Sequence, residues 1–323
     1  MSDNPESVAV VGGGVIGLTT ALTLAEAGHR VRCVRDRPAA ETVSMVAGGL
    51  WFPYHVEPRS RTSPWALKSY ARFRALAGDP ATGVRLAAGT LVDRTAAAAP
   101  TEGADRWWAE GLPGDAGVAD ATAAQLPPGA DAGTRAILPL VDTSRFLPWL
   151  EDRCRAAGVA LEHGHVADLD ELSEPALVVA AGLSSAGLLG DPGLSPGRGQ
   201  VVRLANPGIT EWLVDDDAPE GLTYVLPHRD IVVCGGTDVA GAWSEVPDPA
   251  TEAAILRRCR AAVPALRDAP VVGRAVGLRP LADQVRLARH ERNGRLVITN
   301  YGHGGAGVTL SWGCAAEVAR LLA

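Results

Sequence analysis

The sequence predicts an α/β chain of two interleaved units, one of parallel strands covered by helices and one rich in β-strands. Three observations carry that expectation. Near the start, Val8-Ala-Val-Val11 runs into the glycine turn Gly12-Gly-Gly-Val-Ile-Gly17 and then into a helical stretch. Further on, Ala176-Leu-Val-Val-Ala-Ala-Gly182 is apolar throughout and ends on glycine, as a strand buried on both faces with its end against a ligand does. Finally, segments of this kind, at 1–60, 143–197 and 276–323, alternate with segments at 61–142 and 198–275 that read as strands and loops. No internal repeat is evident.

The first element is a strand, a turn and a helix. Gly12, Gly14 and Gly17 match the G-x-G-x-x-G spacing that seats a dinucleotide pyrophosphate on a helix N-terminus. The first glycine permits the tight turn, the second lets backbone approach phosphate, and the third lets helix pack close to strand. In a chain with 37 glycines the spacing alone is weak, and the flanking strand and helix give it weight. Residues 18–27 form a good helix that Gly28 closes, and residues 29–35 form a second strand. Asp36 then lies roughly 20 residues beyond the glycines, where a ribose-binding carboxylate belongs. This carboxylate does not separate NAD from FAD, since both carry ADP-ribose. Arg35 and Arg37 suit a 2′-phosphate, or surface charge, or support for Asp36.

The next stretch, Ser44-Met-Val-Ala-Gly-Gly-Leu-Trp-Phe-Pro-Tyr54, is apolar, small and aromatic, unlike a plain surface loop. Residues 62–76 read as a core-facing helix, with Trp65, Tyr70, Phe73 and Leu76 at helical spacing. Strands are expected at 84–91 and 135–140, with a helical piece around Trp107 and Trp108. A helix over 143–158 presents Phe146, Leu147 and Leu150 on one face, and a strand at 159–161 follows. Further strands are expected at 199–204, 222–226 and 230–236, then a helix over 249–262. A strand at 296–300 leads into a second glycine turn, Gly302-His-Gly-Gly-Ala-Gly307, and a helix over 308–322. The bare amides of that turn and the dipole of its helix favour negative charge developing on a ligand. An NAD enzyme needs one such crossover. A flavin enzyme uses the first for the adenine-side pyrophosphate and needs another element for the isoalloxazine.

Composition bounds the rest. At 323 residues and 47% hydrophobic, the chain has room for one large or two medium globular domains. A net charge of −7 argues against a nucleic-acid surface, and no apolar run reaches membrane-spanning length. The polar start, Met-Ser-Asp-Asn-Pro-Glu, does not read as a secretory signal, nor the last residues as a peroxisomal address. Cys33, Cys154, Cys234, Cys259 and Cys314 are scattered without a C-x-x-C pair, which suits reduced, buried thiols in a cytoplasmic protein. His163 and His165 have no third ligand type nearby, so no metal is expected.

Taken together, the blocks resemble the D-amino-acid oxidase family, FAD-dependent enzymes that include D-aspartate oxidases. The matching stretches are residues 10–18, 46–54, Pro196-Gly-Arg-Gly-Gln200, Thr223-Tyr-Val-Leu-Pro227, Gly277-Leu-Arg-Pro280 with Gln284-Val-Arg-Leu287, and Asn300-Tyr-Gly-His-Gly-Gly-Ala-Gly-Val-Thr309 running on to Cys314. The resemblance spans essentially the whole chain and implies a Rossmann-like FAD-binding domain interleaved with a β-rich substrate-binding domain. It also implies oxidative deamination of D-amino acids to 2-oxo acids, ammonia and hydrogen peroxide, by hydride transfer from Cα to flavin N5 with O2 as acceptor.

By the same resemblance, Arg279 forks around the substrate carboxylate, Tyr224 shares it, and the Gly305 carbonyl receives the amine. Tyr54 and Phe52 face the substrate side chain. Gly12, Gly13, Gly14, Val15, Ile16, Asp36 and Arg37 hold the ADP half, and the Val166 backbone meets the adenine. Ser44, Met45, Gly49, Leu50, Gly304, Gly305, Gly307, Val308, Thr309 and Arg279 lie at the flavin.

The chain also departs from the family. Vertebrate members carry a further tyrosine on a lid just before the position of Tyr224, and Gly221-Leu222-Thr223 is too short to supply it, which implies a more open site. Phe52 favours apolar side chains, whereas His55 would welcome an acidic one. D-aspartate oxidase and glycine- or sarcosine-type amine oxidase therefore stand as alternatives within the superfamily, and a non-catalytic FAD-binding module outside it. A homodimer stays open.

Overall fold

A computed structural model of the protein describes residues 7–94 and 106–323; the polar N-terminal segment considered above lies outside them. The chain runs β1 (Ser7–Val11), α1 (Val15–Glu26), β2 (Arg30–Arg35), α2 (Arg59–Leu76), β3 (Val84–Asp93), β4 (Ala119–Asp120), β5 (Ala132–Val141) and α3 (Thr143–Ala156). It continues through β6 (Ala160–His163), β7 (Ala176–Val179), α4 (Ser185–Leu189), β8 (Ser195–Ala205), β9 (Trp212–Asp215), β10 (Thr223–Pro227), β11 (Ile231–Gly235) and β12 (Val239–Ala240). The last elements are α5 (Pro249–Ala262), β13 (Val271–Leu281), β14 (Arg286–Arg292), β15 (Arg295–Tyr301) and α6 (Gly307–Leu322).

One sheet has six strands in the order β14-β15-β7-β1-β2-β6. Its pairs are parallel except for the β14–β15 hairpin. Val8 faces Val31 on one side and Ala176 on the other, so β1 is central and its residues after Ser7 are fully apolar. All four residues of β7 are buried, which accounts for its apolar run without alternation. On one face, α1 packs against α3 and α6, and α6 against α2. Closeness there depends on Gly313, where a Cβ would strike the Trp65 carbonyl, and on Ser69, whose Oγ accepts from the Gly313 amide at 2.9 Å. On the other face, Val166, Leu169 and Leu172 cover Ala9, Val11, Leu177 and Val179.

The second sheet runs β12-β8-β11-β10-β9-β3-β5-β4, with β13 also paired to β8. It is antiparallel apart from β3–β9. Helix α5 closes its outer face, burying Ile255 and Cys259 against Val202, Leu204, Val225 and Val232.

The expected elements form with small shifts. The helical piece at Trp107 and Trp108 is a single 3-10 turn, Trp107–Ala109. Strands β4, β9, β12, β13 and β14 were not expected. The borders expected at 60/61, 197/198 and 275/276 fall inside α2, β8 and β13, whereas that at 142/143 falls at the N-cap of α3. Among the described residues, no helix is long and apolar enough to cross a membrane.

Candidate active site

A cavity of about 580 Å³ lies where the two sheets meet. Its wall includes the carboxyl ends of β1, β2, β7 and β15, through Val11, Arg35, Ala180 and Tyr301. That is where open parallel sheets bind ligands. The second sheet supplies Gly199, Val201, Val214, Tyr224 and Arg279.

At one end the wall is the first glycine turn, Gly12 to Ile16. Gly12 has φ +125°, and a Cβ there would collide with the Ala180 carbonyl. A Cβ on Gly17 would strike the Gly12 carbonyl, so this third glycine is what lets α1 sit close to the turn. The first amide of α1, on Val15, donates to Ser44 Oγ at 3.0 Å, which ties the 44–54 segment to the helix N-terminus. No acidic residue occupies the first turn of α1. Asp36 and Arg37 also line the cavity and pair with each other at 3.1 Å, and Arg37 holds the Asp36 carboxyl below its usual range.

At the other end the wall is the second glycine turn, Gly304–Ala306, which opens α6. A Cβ added at Gly305 would lie 3.3 Å from the Tyr54 ring and 3.7 Å from Cδ of Arg279. The turn therefore sits between these two side chains. Arg279, on β13, donates to the Thr237 carbonyl at 2.8 Å and lies 3.4 Å from Asp238. Its remaining donors stay available, and the Tyr224 phenol lies within reach of its charge. The Tyr224 ring lies against Gly235 and Gly236, leaving no room for a Cβ at either. Burial raises the Tyr224 phenol, while Arg279 pulls it back.

Alternation along β8 explains the Pro196–Gln200 block. Gly197 and Gly199 leave space for Leu281 and Arg279 of the paired strand. The residues between them fasten a loop. Arg198 donates to the carbonyls of Ser244 and Val246 at 2.8 and 2.7 Å, and Gln200 exchanges hydrogen bonds with the Asp248 backbone, both at 2.9 Å. This loop carries Trp243 and Glu245 to the cavity wall.

Three further groups on the wall have perturbed acidities. Burial pushes the Tyr54 phenol up to about 12, with Asp216 and Asp238 adding to it. Burial pushes the Asp216 carboxyl up to about 6, opposed by His55 and reinforced by Asp217 and Asp215. Burial alone pulls the His303 imidazole down to about 3, and its Nε2 has no partner.

Of the residues expected at the site, Gly12, Gly13, Gly14, Val15, Ile16, Asp36, Arg37, Ser44, Gly49, Leu50, Phe52, Tyr54, Val166, Tyr224, Arg279, Gly304, Gly305, Gly307 and Val308 all line this one cavity. Met45 and Thr309 do not. The Met45 carbonyl accepts from Arg203 at 3.0 Å, and Thr309 Oγ1 is spent on the backbone of Phe52. Asp216, Leu222, Trp243, Glu245 and His303 line the wall unannounced. His303 stood inside a block already singled out and Leu222 in the short stretch before Tyr224, whereas Asp216, Trp243 and Glu245 had no such signal.

The cavity suits an elongated group carrying a pyrophosphate. Bare glycines and a helix start without acidic residues suit phosphates, a carboxylate stands at one end, and a second helix start stands at the other. Two such turns in one cavity, with an arginine and a tyrosine over the second, define a flavin-dependent oxidoreductase. Residues 7–321 match the model of the DAO family, FAD dependent oxidoreductase, and the chain belongs to that family. It is similar to the D-amino-acid oxidase of Streptomyces coelicolor, with 48% identity covering 97% of this chain and 96% of that one. It is similar also to the D-amino-acid oxidase of Rubrobacter xylanophilus, with 44% identity covering 97% and 94%. Among solved structures, glycine oxidase from Geobacillus kaustophilus shares the fold, with a TM-score of 0.82 at 23% identity over 98% of this chain and 95% of that one.

Proposed function

We propose that this protein is a D-amino-acid oxidase, converting a D-amino acid, O2 and water to a 2-oxo acid, ammonia and hydrogen peroxide. The observation that carries this reading is the approach of Arg279, Tyr224, Tyr54 and Gly305 at the flavin end of the cavity. When bound, FAD supplies the two-electron acceptor for the hydrogen lost from Cα and passes the electrons to O2. Gly12 to Ile16 with Asp36 would hold its ADP half, and Ser44, Gly49, Leu50 and the second glycine turn its flavin half.

The other steps belong to the protein. Arg279 binds the α-carboxylate through the donors that Thr237 leaves available, and the Tyr224 hydroxyl shares it. The Gly305 carbonyl accepts from the amine. With carboxylate and amine pinned, one enantiomer alone turns its Cα–H to the cofactor, so stereoselectivity follows from orientation. No side chain is needed as general base once the bound amine is neutral. The product imine takes up water and releases ammonia. The same reading assigns the protein to the cytoplasm, and its five cysteines are free and buried.

The test is a peroxide-coupled assay of the yellow holoenzyme over matched D- and L-amino acids. Peroxide from the D series alone is expected; peroxide only from glycine, sarcosine or L-amino acids would overturn the reading.

A further inference from the structure

We propose that Asp216 is a specificity-determining residue that selects D-amino acids with cationic side chains. The inference rests on the oxidase reading above.

Asp215, Asp216 and Asp217 look alike in sequence, and the fold separates them. Asp215 is buried and pairs with Arg94 at 2.6 Å, and Asp217 is exposed to solvent. Asp216 lines the cavity beside Leu222, Tyr224 and Tyr54, and its Oδ1 is buried with no hydrogen-bond partner. A carboxylate oxygen withdrawn from water without a donor is costly, and an ammonium or guanidinium brought to it relieves that cost.

The nearby cations do not supply the missing donor. Arg279 donates to the Thr237 carbonyl and lies beside Asp238, and makes no hydrogen bond to Asp216 Oδ1. His55 contributes a field at Asp216 but no hydrogen bond to Oδ1. When Arg279 takes the α-carboxylate and Gly305 the amine, the side chain is left to the wall formed by Tyr54, Phe52 and Asp216. A D-lysine or D-arginine then brings its charge to Oδ1, whereas D-aspartate or D-glutamate brings a second anion. His55 was expected to welcome an acidic side chain. With Asp216 in its field, that attraction is offset.

The experiment compares kcat/KM of the holoenzyme for D-Lys, D-Arg, D-Gln, D-Met and D-Glu by peroxide release, in the wild type and in Asp216→Asn. The wild type is expected to favour D-Lys and D-Arg over D-Gln and D-Met at least fivefold, with D-Glu poorest. Asp216→Asn is expected to cut the cationic-to-neutral ratio at least fivefold, and weaker salt dependence should accompany the loss. A wild-type preference below fivefold, or a ratio that the variant shifts by less, overturns the proposal while the oxidase reading stands. If Asp216→Asn does not bind FAD, the wild-type series decides. No peroxide from any D-amino acid overturns both.

Discussion

The guanidinium of Arg279 lies across Gly199, with Cζ and both terminal nitrogens 2.5 Å from where a Cβ on that glycine would sit. The two residues belong to paired strands, β13 and β8, two positions out of register. The glycine is thus part of how the arginine is aimed. Gly199→Ala displaces the guanidinium without removing its charge, and KM for D-amino acids should rise about tenfold with FAD content unchanged, roughly 1.4 kcal/mol of lost contact. Steady-state kinetics with the flavin spectrum as control checks this. Wild-type KM in that variant would show that the arginine position does not depend on the glycine.

Arg279→Ala should cost more, about a hundredfold in kcat/KM for every D-amino acid, since charge-assisted contacts are worth roughly 1.5–3 kcal/mol. Tyr224→Phe should cost about tenfold, because the arginine remains. A tyrosine variant as damaged as the arginine variant would mean that the hydroxyl does more than share the carboxylate.

Thr309 bonds both backbone groups of Phe52, accepting from its amide at 3.1 Å and donating to its carbonyl at 2.9 Å. Thr309→Val keeps the shape and leaves both groups unpaired. A loss of about 2 kcal/mol follows, a fall of roughly 4 °C in Tm by calorimetry. An unchanged Tm would show that water or a shifted loop replaces the threonine.

Asp216 gives stability a pH dependence of known sign. Its carboxyl titrates near 6 in the folded protein and near 3.8 unfolded, so the unfolded state loses its proton first as pH rises. Stability therefore falls as pH rises from about 4 to 6, and the penalty persists above. Asp216→Asn should be more stable than wild type at pH 7.5, by about 1 kcal/mol after allowance for the part-exposed site, and no more stable near pH 3.5. Thermal unfolding at the two pH values checks it. An equal gain at both would assign the effect to packing.

Asp36→Ala should weaken FAD about tenfold, the equivalent of ~1.4 kcal/mol for one charged contact. Titrating apoprotein with FAD by fluorescence quenching measures this without turnover. Undiminished affinity would remove Asp36 from the cofactor contacts.

Legibility in the sequence followed how local each feature is. The turn between β1 and α1 was legible because its glycine spacing and the strand and helix flanking it lie within a few residues, even though Gly12 and Gly14 face Ala180 and Ser44 much further along the chain. The second turn was legible from its run of glycines between a strand and a helix, while its partners Tyr54 and Arg279 lie far off in sequence. β14 escaped notice because its run RLARHER is a polar edge strand with no apolar rhythm. β13 was missed as a strand, since glycines and an arginine facing the cavity interrupt it, although its Gly277–Pro280 block stood out. Asp216 was invisible as a site residue. Nothing in three consecutive acids says which one the fold turns inward. Thr309 and Met45 stood beside true wall residues, and a motif does not record which way a side chain points.

In the first sheet β7 lies between β1 and β15, strands separated by most of the chain. This order bears on biosynthesis. While the ribosome is still short of Arg295, β7 keeps one edge open, and its four buried apolar residues have no partner strand on that side. The nascent chain thus carries a ready template for wrong pairing until Arg295–Tyr301 has been made, so the first sheet to begin is closed only after every strand of the second has emerged.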